Sequence, residues 1–490
     1  MSFSRSSALA AALLAGLLSG CADLGGIQPG ATVRDAAALG LPAASADAVP
    51  APAADWWTQL GDAQLDRLVA QALQDNPSLH VAAARVAKAD SAIAIAQAAD
   101  APQVSGTLGL NRQRFSENYI YPPPLGGSVQ NLGNVQAQGS WALDFFGRNA
   151  GALQAAVGQA RAAQAEQGAA RVLLAANVVR NYVQWARLHD QRELAQQALA
   201  QRQQMLGLVQ ERVRAGLDNQ LELRQNETGR ADTRTQIAAL EQQIEATGNA
   251  LAALLGQPRL PTDVTVPRLA QLGTLALPQQ LDADWLGQRA DIAAARWRVQ
   301  ATQGEVQVAR AQFYPNINLA GFVGLQSLGF GNLLHGGSLE WGVGPALSLP
   351  IFEGGRLRAN LRGRTADVDA AIESYNATVI DAMREVADQA LALRAVARQQ
   401  GEQAHAVGAA EGAWDIARQR YGAGLGTYLN VLVAESSVLA QRRQTVDLAA
   451  QALLAQVGLA QAMGGGWQPE PVLDTGRAVH AGEPQAAPRS

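Results

Sequence analysis

Few residues in this sequence could do covalent or metal chemistry. Cys21 is the only cysteine in 490 residues. A lone thiol can be alkylated, but it cannot close a bridge within the chain or join other cysteines around zinc. The five histidines, His80, His189, His335, His405 and His480, lie far apart with no ligand spacing. Lys88 is the single lysine among 38 basic residues, which removes lysine Schiff-base and Walker-type chemistry almost everywhere. No Gly-x-Ser-x-Gly, His-Glu-x-x-His or Gly-Lys phosphate loop occurs. The Gly-rich stretch 329–337 sits where a hairpin loop belongs. These residues predict no catalytic group, no metal site and no enzyme. The net charge of −4 offers no basic excess for nucleic acid.

The position of Cys21 gives its thiol a use. Arg5 precedes an apolar run, Ala8–Leu18, of eleven residues. That is short of the roughly 20 needed to span a bilayer, and it reads as a secretory signal. Leu18-Ser19-Gly20-Cys21 resembles the bacterial lipoprotein signal. The resemblance implies loss of residues 1–20 and lipidation of Cys21, with a diacylglycerol on sulfur and an acyl chain on the new amine. Such chains hold by apolar transfer, about 0.8 kcal/mol per buried CH₂. Ala22, not Asp, follows, as in lipoproteins sorted to the outer membrane. No later segment offers a transmembrane helix.

The elements that follow are written twice. Residues 77–102 align on 290–315 at an offset of 213, pairing Arg85 with Arg298 and Pro102 with Pro315. Residues 148–256 align on 356–464 at an offset of 208, pairing Arg212 with Arg420, Gly216 with Gly424 and Glu227 with Glu435. No proline lies between Pro124 and Pro258, or between Pro350 and Pro469. Helix interiors exclude proline because it lacks the N–H and clashes with the preceding turn. Arg148–Arg214 therefore reads as one helix, about 100 Å long at 1.5 Å per residue. Leu174, Val178, Tyr182, Trp185 and Leu188 mark its apolar row, and Arg202 interrupts the companion row with a charge. Ala215-Gly216 ends it, and Leu221–Leu255 runs back. Tyr421-Gly422-Ala423-Gly424 marks the same turn in the second repeat.

Between the helices the period switches to two. Val104, Gly106, Leu108 and Leu110 alternate with polar residues, as do Val135 through Phe145. The second repeat matches with Ile317–Leu325 and a return strand of Trp341, Val343, Pro345, Leu347, Leu349 and Ile351. Pro345 predicts a local break in the ladder. About ten residues suit an outer-membrane span. Four strands cannot close a barrel, since about eight is the small end, and open edges inside lipid are not tolerated. Strands in the membrane would therefore have to be shared among several chains.

These residues resemble the outer-membrane factor (TolC-like) family, specifically its NodT-type efflux lipoproteins, over nearly the whole mature chain. The resemblance rests on Asp55-Trp56-Trp57 with Leu60, Asp62, Leu65 and Leu68, then Asn76-Pro77. It continues through Asp144-Phe145-Phe146-Gly147-Arg148, Arg289 with Asp291-Ile292, and Phe313-Tyr314-Pro315. Pro350-Ile351-Phe352, Gly354-Gly355-Arg356, Arg420-Tyr421, Gly424 and Tyr428-Leu429 complete it. Ala290 stands where the family has proline.

The resemblance implies a mainly α chain with membrane β structure. Three copies, each with two tandem repeats and four strands, would form one β-barrel and one long α-helical barrel. It implies an outer-membrane channel of a Gram-negative bacterium, lipid-anchored and extending into the periplasm. Such a channel passively conducts drugs or toxic compounds delivered by an inner-membrane RND-type pump through a periplasmic adaptor. The gate would lie at the helix turns, with Tyr421 bonded to Glu222. The family's gate arginine falls on Gly426, and its ring of aspartates falls on Asn430 and Val433, with Glu435 nearby. Gly216-Leu217 and Gly424-Leu425 would dock the adaptor. A type I protein-secretion duct and a non-channel periplasmic coiled-coil scaffold are the alternatives.

The expected segments are a signal peptide at 1–20, a lipidated segment at 21–61 and first helices at 62–102. A hairpin at 103–146, a long helical pair at 147–256 and a Pro-rich link at 257–284 follow. The second repeat has its helix at 285–315, its hairpin at 316–352 and its helical pair at 353–465, before a tail at 466–490.

Overall fold

A computed structural model describes residues 25–34, 52–276 and 287–468. Cys21, the signal segment, Pro278 and the tail beyond residue 468 lie outside the described residues. Helices α1 (Ala63–Asp75), α2 (Pro77–Ala98), α3 (Arg148–Arg214) and α4 (Gln220–Leu254) belong to the first repeat. Helices α5 (Ala290–Ala311), α6 (Arg356–Gly422) and α7 (Tyr428–Ala462) belong to the second. The strands are β1 (Gln103–Arg114), β2 (Val129–Leu143), β3 (Asn316–Leu328) and β4 (Leu339–Ser348). Among the described residues no helix is long and apolar enough to cross a membrane.

The proline-free tracts become the 67-residue helices α3 and α6. Each begins behind an acidic residue. Asp144 accepts the Arg148 and Ala150 amides at 2.7 and 2.9 Å, satisfying donors that a first helical turn leaves free. Glu353 instead accepts from the Arg356 guanidinium at 2.8 Å.

The chain divides into two compact units, each drawing on both repeats. The first takes the described residues of Met1–Gly40, His80–Gln167 and Ala294–Asp381. It holds one antiparallel sheet in the order β1-β2-β3-β4. Its helical core gathers Val299, Val306, Phe313, Leu361 and Val368, with Ile27 of the N-terminal segment among them. Here α3 and α5 approach closely. A Cβ at Gly304 would lie 2.6 Å from the Ala155 nitrogen and 2.7 Å from the Gly151 carbonyl oxygen. Gly304→Val should therefore force the helices apart and cost about 1–3 kcal/mol by overpacking. A lowered Tm in thermal denaturation checks this, and an unchanged Tm contradicts it.

The second unit takes the described residues of Leu41–Leu79, Gly168–Ala293 and Ala382–Ser490. The Trp56-Trp57 pair, in T-shaped contact at 5.8 Å, sits in its core with Leu60, Leu65, Leu68 and the α3 row Leu174, Val178, Tyr182 and Trp185. Asp62 accepts the Gln64 and Leu65 amides at the start of α1 and the Tyr182 hydroxyl at 2.6 Å. Arg289 is buried against Asp291, Glu385 and the Ala462 carbonyl oxygen. The Trp-Trp and Arg-Ala-Asp-Ile signatures thus act as packing and pinning devices.

Three expectations about the strands are corrected. The ladder runs unbroken through Pro345, which pairs with Leu319. β4 is an edge strand of this sheet, where a missing N–H need not face the partner. β4 also ends at Ser348, so Leu349 and Ile351 lie beyond it, and β2 ends at Leu143, before Phe145.

Candidate functional site

Both helix turns of the second unit use the same stop. The Leu217 amide donates to the Arg212 carbonyl oxygen at 2.9 Å, and the Gly216 amide to Val213 at 3.1 Å. In the second repeat Leu425 donates to Arg420 at 2.8 Å and Gly424 to Tyr421 at 3.0 Å. This Schellman pairing needs a left-handed residue, and Gly216 and Gly424 have φ of 72° and 75°. The stop leaves Leu217 and Leu425 projecting, 65% and 70% exposed.

The following helices start differently. Asn219 caps α4, accepting the Leu221 amide at 2.7 Å, while Glu222 returns to accept the Asn219 amide at 3.2 Å. This is a capping box, and it engages Glu222 locally. Thr427, before α7, makes no side-chain cap.

Tyr421 is fully buried, and its hydroxyl donates to Asp218. The expected Tyr421–Glu222 bond is thereby corrected. The carboxylate that meets Tyr421 is the one in the turn itself, because Glu222 is taken up by its own helix start. Arg212 grips Asp218 from the same hairpin, with nitrogen–oxygen distances of 2.9 and 3.3 Å. Its guanidinium carbon also lies 4.6 Å from the centre of the Tyr421 ring. Burial acts to raise the Asp218 carboxyl, but the hydrogen bonds from Arg212 and Tyr421 outweigh it and hold the group below its ordinary value. Burial and the bond to Asp218 push the Tyr421 hydroxyl up.

Two further bonds join the α3–α4 hairpin to α7. Asn226 donates to the Tyr428 hydroxyl at 2.7 Å, with both residues buried. Arg202, the charge that interrupts the apolar row of α3, donates to Glu435 at 3.2 Å and to Thr233 at 2.9 Å. It also reaches the Gly229 carbonyl oxygen. One guanidinium thus pins α3, α4 and α7. Burial raises the Glu435 carboxyl from its ordinary value, against the opposing pull of Arg202. The direction of Glu435 is now fixed: it points into the helical packing. Asn430 and Val433 are exposed and stand outside this buried cluster.

Sequence reasoning missed Asp218 and Arg212. Both were accessible as signals. Asp218 directly follows the small-Gly-Leu turn, and Arg212 repeats as Arg420. At the 208-residue offset, Asp218 corresponds to Gly426, so the second turn has no carboxylate for Arg420. Arg420 reaches the Leu425 carbonyl oxygen instead, at 3.2 Å.

A second functional surface is the sheet. The register stacks Leu108, Val135, Leu325 and Leu339 in one row, and Gly106, Ala137, Val323 and Trp341 in the next. The face they form is apolar and largely uncovered, with Val104 76%, Trp341 72% and Val343 71% exposed. The opposite face carries Ser105, Thr107, Gln136, Gln138, Asn318 and Gln326. Among the described residues its one charged group is Glu340. An exposed apolar face backed by amides and hydroxyls fits a wall with lipid on one side and water on the other.

Comparison with known proteins gives a consistent picture. A family model described as outer membrane efflux protein matches residues 68–257 and 283–465. The fusaric acid resistance protein FusA of Burkholderia cepacia is 37% identical, with 74% of this chain and 69% of that protein covered. The multidrug resistance outer membrane protein MdtP of Escherichia coli K12 is 32% identical, with 86% and 88% covered. Among solved structures, the outer membrane protein VceC of Vibrio cholerae superposes with a TM-score of 0.80 at 34% identity, covering 85% of this chain and all of that one.

Proposed function

Because this chain belongs to the outer membrane efflux protein family and is an outer-membrane efflux channel of that fold, we propose that three copies share one barrel and together conduct small molecules outward from an inner-membrane pump. The observation that carries the reading is the sheet. Its apolar face is open, and among the described residues its outer strands β1 and β4 have no partner beyond the sheet. Inside hydrocarbon every backbone N–H and C=O must be paired, so an open edge cannot stand there. Pairing β4 of one copy with β1 of the next removes both edges. Three copies supply twelve strands, above the roughly eight that a small barrel needs.

The helix turns then form the periplasmic entrance. In this reading Tyr421, Asp218 and Arg212 hold the entrance shut, with Asn226–Tyr428 and Arg202–Glu435 as supporting bonds. Opening separates the hairpins at those bonds. The exposed Leu217 and Leu425, each beside a tightly turned glycine, are the docking points for a periplasmic adaptor. The pump is of the RND type and the cargo is drugs or other toxic compounds; the names of FusA and MdtP tie those two proteins to fusaric acid resistance and multidrug resistance. Cys21 carries a diacylglycerol and an N-acyl chain that fix each copy to the outer membrane. A protein-secretion duct would use the same wall, but the lipoprotein signal and the Trp-Trp start favour small molecules. A periplasmic scaffold would leave the apolar sheet face without a purpose.

The test is reconstitution of the purified full-length protein in planar bilayers, with mass measured in detergent. A trimer with discrete ion conductance is expected, and a non-conducting monomer overturns the reading. Trp341→Lys, on the lipid side, should cost about 2–4 kcal/mol near the bilayer midplane and reduce the trimer yield. Wild-type yield for that variant places the face elsewhere.

A further inference from the structure

We propose that a groove at the helix-side end of the sheet, lined by aromatic and aliphatic side chains among polar ones, is the seat of an acyl chain carried by Cys21. The inference rests on the reading of Cys21 as lipidated and adds where the lipid goes.

The first observation is a strap. Residues 25–34 run along α6 within the first unit. The Arg34 amide donates to Asn376 at 3.0 Å, and Asn376 donates back to the Thr32 carbonyl oxygen at 3.0 Å. The Gly30 and Ala31 amides both donate to Asp369, at 2.8 and 2.9 Å. The Gly25 carbonyl oxygen accepts from Arg358 at 3.4 Å. Ile27 is buried in the cluster that includes Phe313, Leu357 and Leu361.

These contacts have a direction. As the strap runs from residue 34 back to 25, its partner on α6 moves from 376 to 358. That stretch of helix rises about 27 Å. Nine extended residues span at most about 30 Å. The strap is therefore nearly taut and parallel to α6, and read back toward residue 25 it heads for the start of that helix. Cys21 lies four residues before Gly25, a reach of at most about 14 Å whichever way Gly26 turns the chain.

The second observation lies within that reach. A groove of about 650 Å³ opens where the strands give way to α3 and α6. Phe145, Phe146, Tyr314, Ile351 and Phe352 line it together with Asp144, Arg148, Glu353 and Arg356. Phe146 and Tyr314 stack at 4.9 Å. Phe352 and Ile351 are 90% and 83% exposed. Leu357 both lines the groove and packs with Ile27, so the strap and the groove share a residue. Exposed aromatic and aliphatic side chains set among charged ones suit a methylene chain whose glycerol or amide end stays in the polar boundary layer. The groove adjoins the end of β4, whose last residue, Ser348, is among its lining.

The test uses full-length protein from cells fed a diazirine-bearing fatty acid. After purification of the trimer and irradiation, digestion and mass spectrometry map the crosslinks. The expected product joins the acylated Cys21 peptide to the peptides holding 145–146 or 351–352. A peptide-to-peptide adduct separates the Cys21 chain from free phospholipid, which gives lipid-to-peptide adducts only. Ile351→Ser with Phe352→Ser should lose that adduct while the acylated mass and the trimer persist. Acylated Cys21 that crosslinks instead to Trp341–Val343, or to no protein peptide, overturns the seat and leaves lipidation standing. A Cys21 peptide without acyl mass overturns the lipidation reading and the seat with it.

Discussion

Asp218→Ala will leave the channel leaky. In planar bilayers its resting conductance should exceed that of the wild type, and cells carrying it should become sensitive to large antibiotics that the outer membrane normally excludes. The reason is the arrangement of the turn. Asp218 is the acceptor for Tyr421 of the second hairpin and the partner of Arg212 in the first. Its side chain and that of Arg212 are 10% and 13% exposed. Removing one partner of a pair this enclosed leaves the other charge uncompensated, at a cost of about 3–5 kcal/mol. Tyr421→Phe removes only the bond between hairpins, worth about 1.5–3 kcal/mol for a charged acceptor, so it should leak less. Glu222→Ala should lose about 1 kcal/mol of helix start and leak no more than wild type. If Glu222→Ala leaks and Asp218→Ala does not, the assignment of the lock is wrong.

The pH dependence of this lock has a definite sign. The folded carboxyl of Asp218 titrates below its ordinary value of 3.8. Its contribution is fully present above that value and is lost only as pH falls through the lower, folded one. Mild acidification should therefore leave the Asp218 lock closed, and conductance that rises on moving from neutral to slightly acidic pH must come from another group.

The second large effect is expected for Arg202→Leu. It removes the guanidinium that satisfies Glu435, Thr233 and the Gly229 carbonyl oxygen, and leaves Glu435 buried at 7% exposure without a cation. Loss of such a partner costs about 3–5 kcal/mol. Thermal denaturation of the trimer at neutral pH should show a clear fall in Tm. Burial already raises the folded carboxyl of Glu435 above its ordinary 4.5, and losing Arg202 raises it further. A raised carboxyl means that the folded state holds the proton more tightly than the unfolded state. Its contribution is therefore greatest below 4.5 and declines as pH rises through the folded value. The deficit of Arg202→Leu should accordingly shrink in acid. Adding Glu435→Leu should recover most of the lost Tm at neutral pH, because replacing both partners by apolar groups is often neutral. A single variant as stable as wild type at neutral pH would show that the pair contributes nothing.

Much of the fold was legible in residue order. The absence of proline allowed a helix as long as α3, and the Ala215-Gly216 break ended it at Arg214, where the structure also ends it. The period-two alternation located all four strands, although their ends were not readable. A terminal Phe or Ile continues an apolar alternation whether or not the ladder still pairs, as Phe145 and Ile351 illustrate. The tip was only partly legible. Its glycines follow from the conformation they must adopt, and Tyr421 was found by resemblance. The choice between Asp218 and Glu222 was not readable from sequence. Two carboxylates four positions apart look equivalent until one is seen to close a capping box. Arg202 is the opposite case. It looked like a flaw in an apolar row, and the flaw is a buried ion pair whose partner lies 233 residues away.

Of the equivalent places at which the two turns differ, Asp218 against Gly426 assigns them unequal mechanical parts. The carboxylate and its guanidinium clamp belong wholly to the first hairpin, so they behave as a door frame with its strike plate already fitted. The second hairpin brings only a phenol, a bolt without a charge of its own. Drawing the bolt leaves the strike plate intact, with Arg212 still holding Asp218 in position. At this turn, re-latching requires the phenol to return to a carboxylate that is already in position.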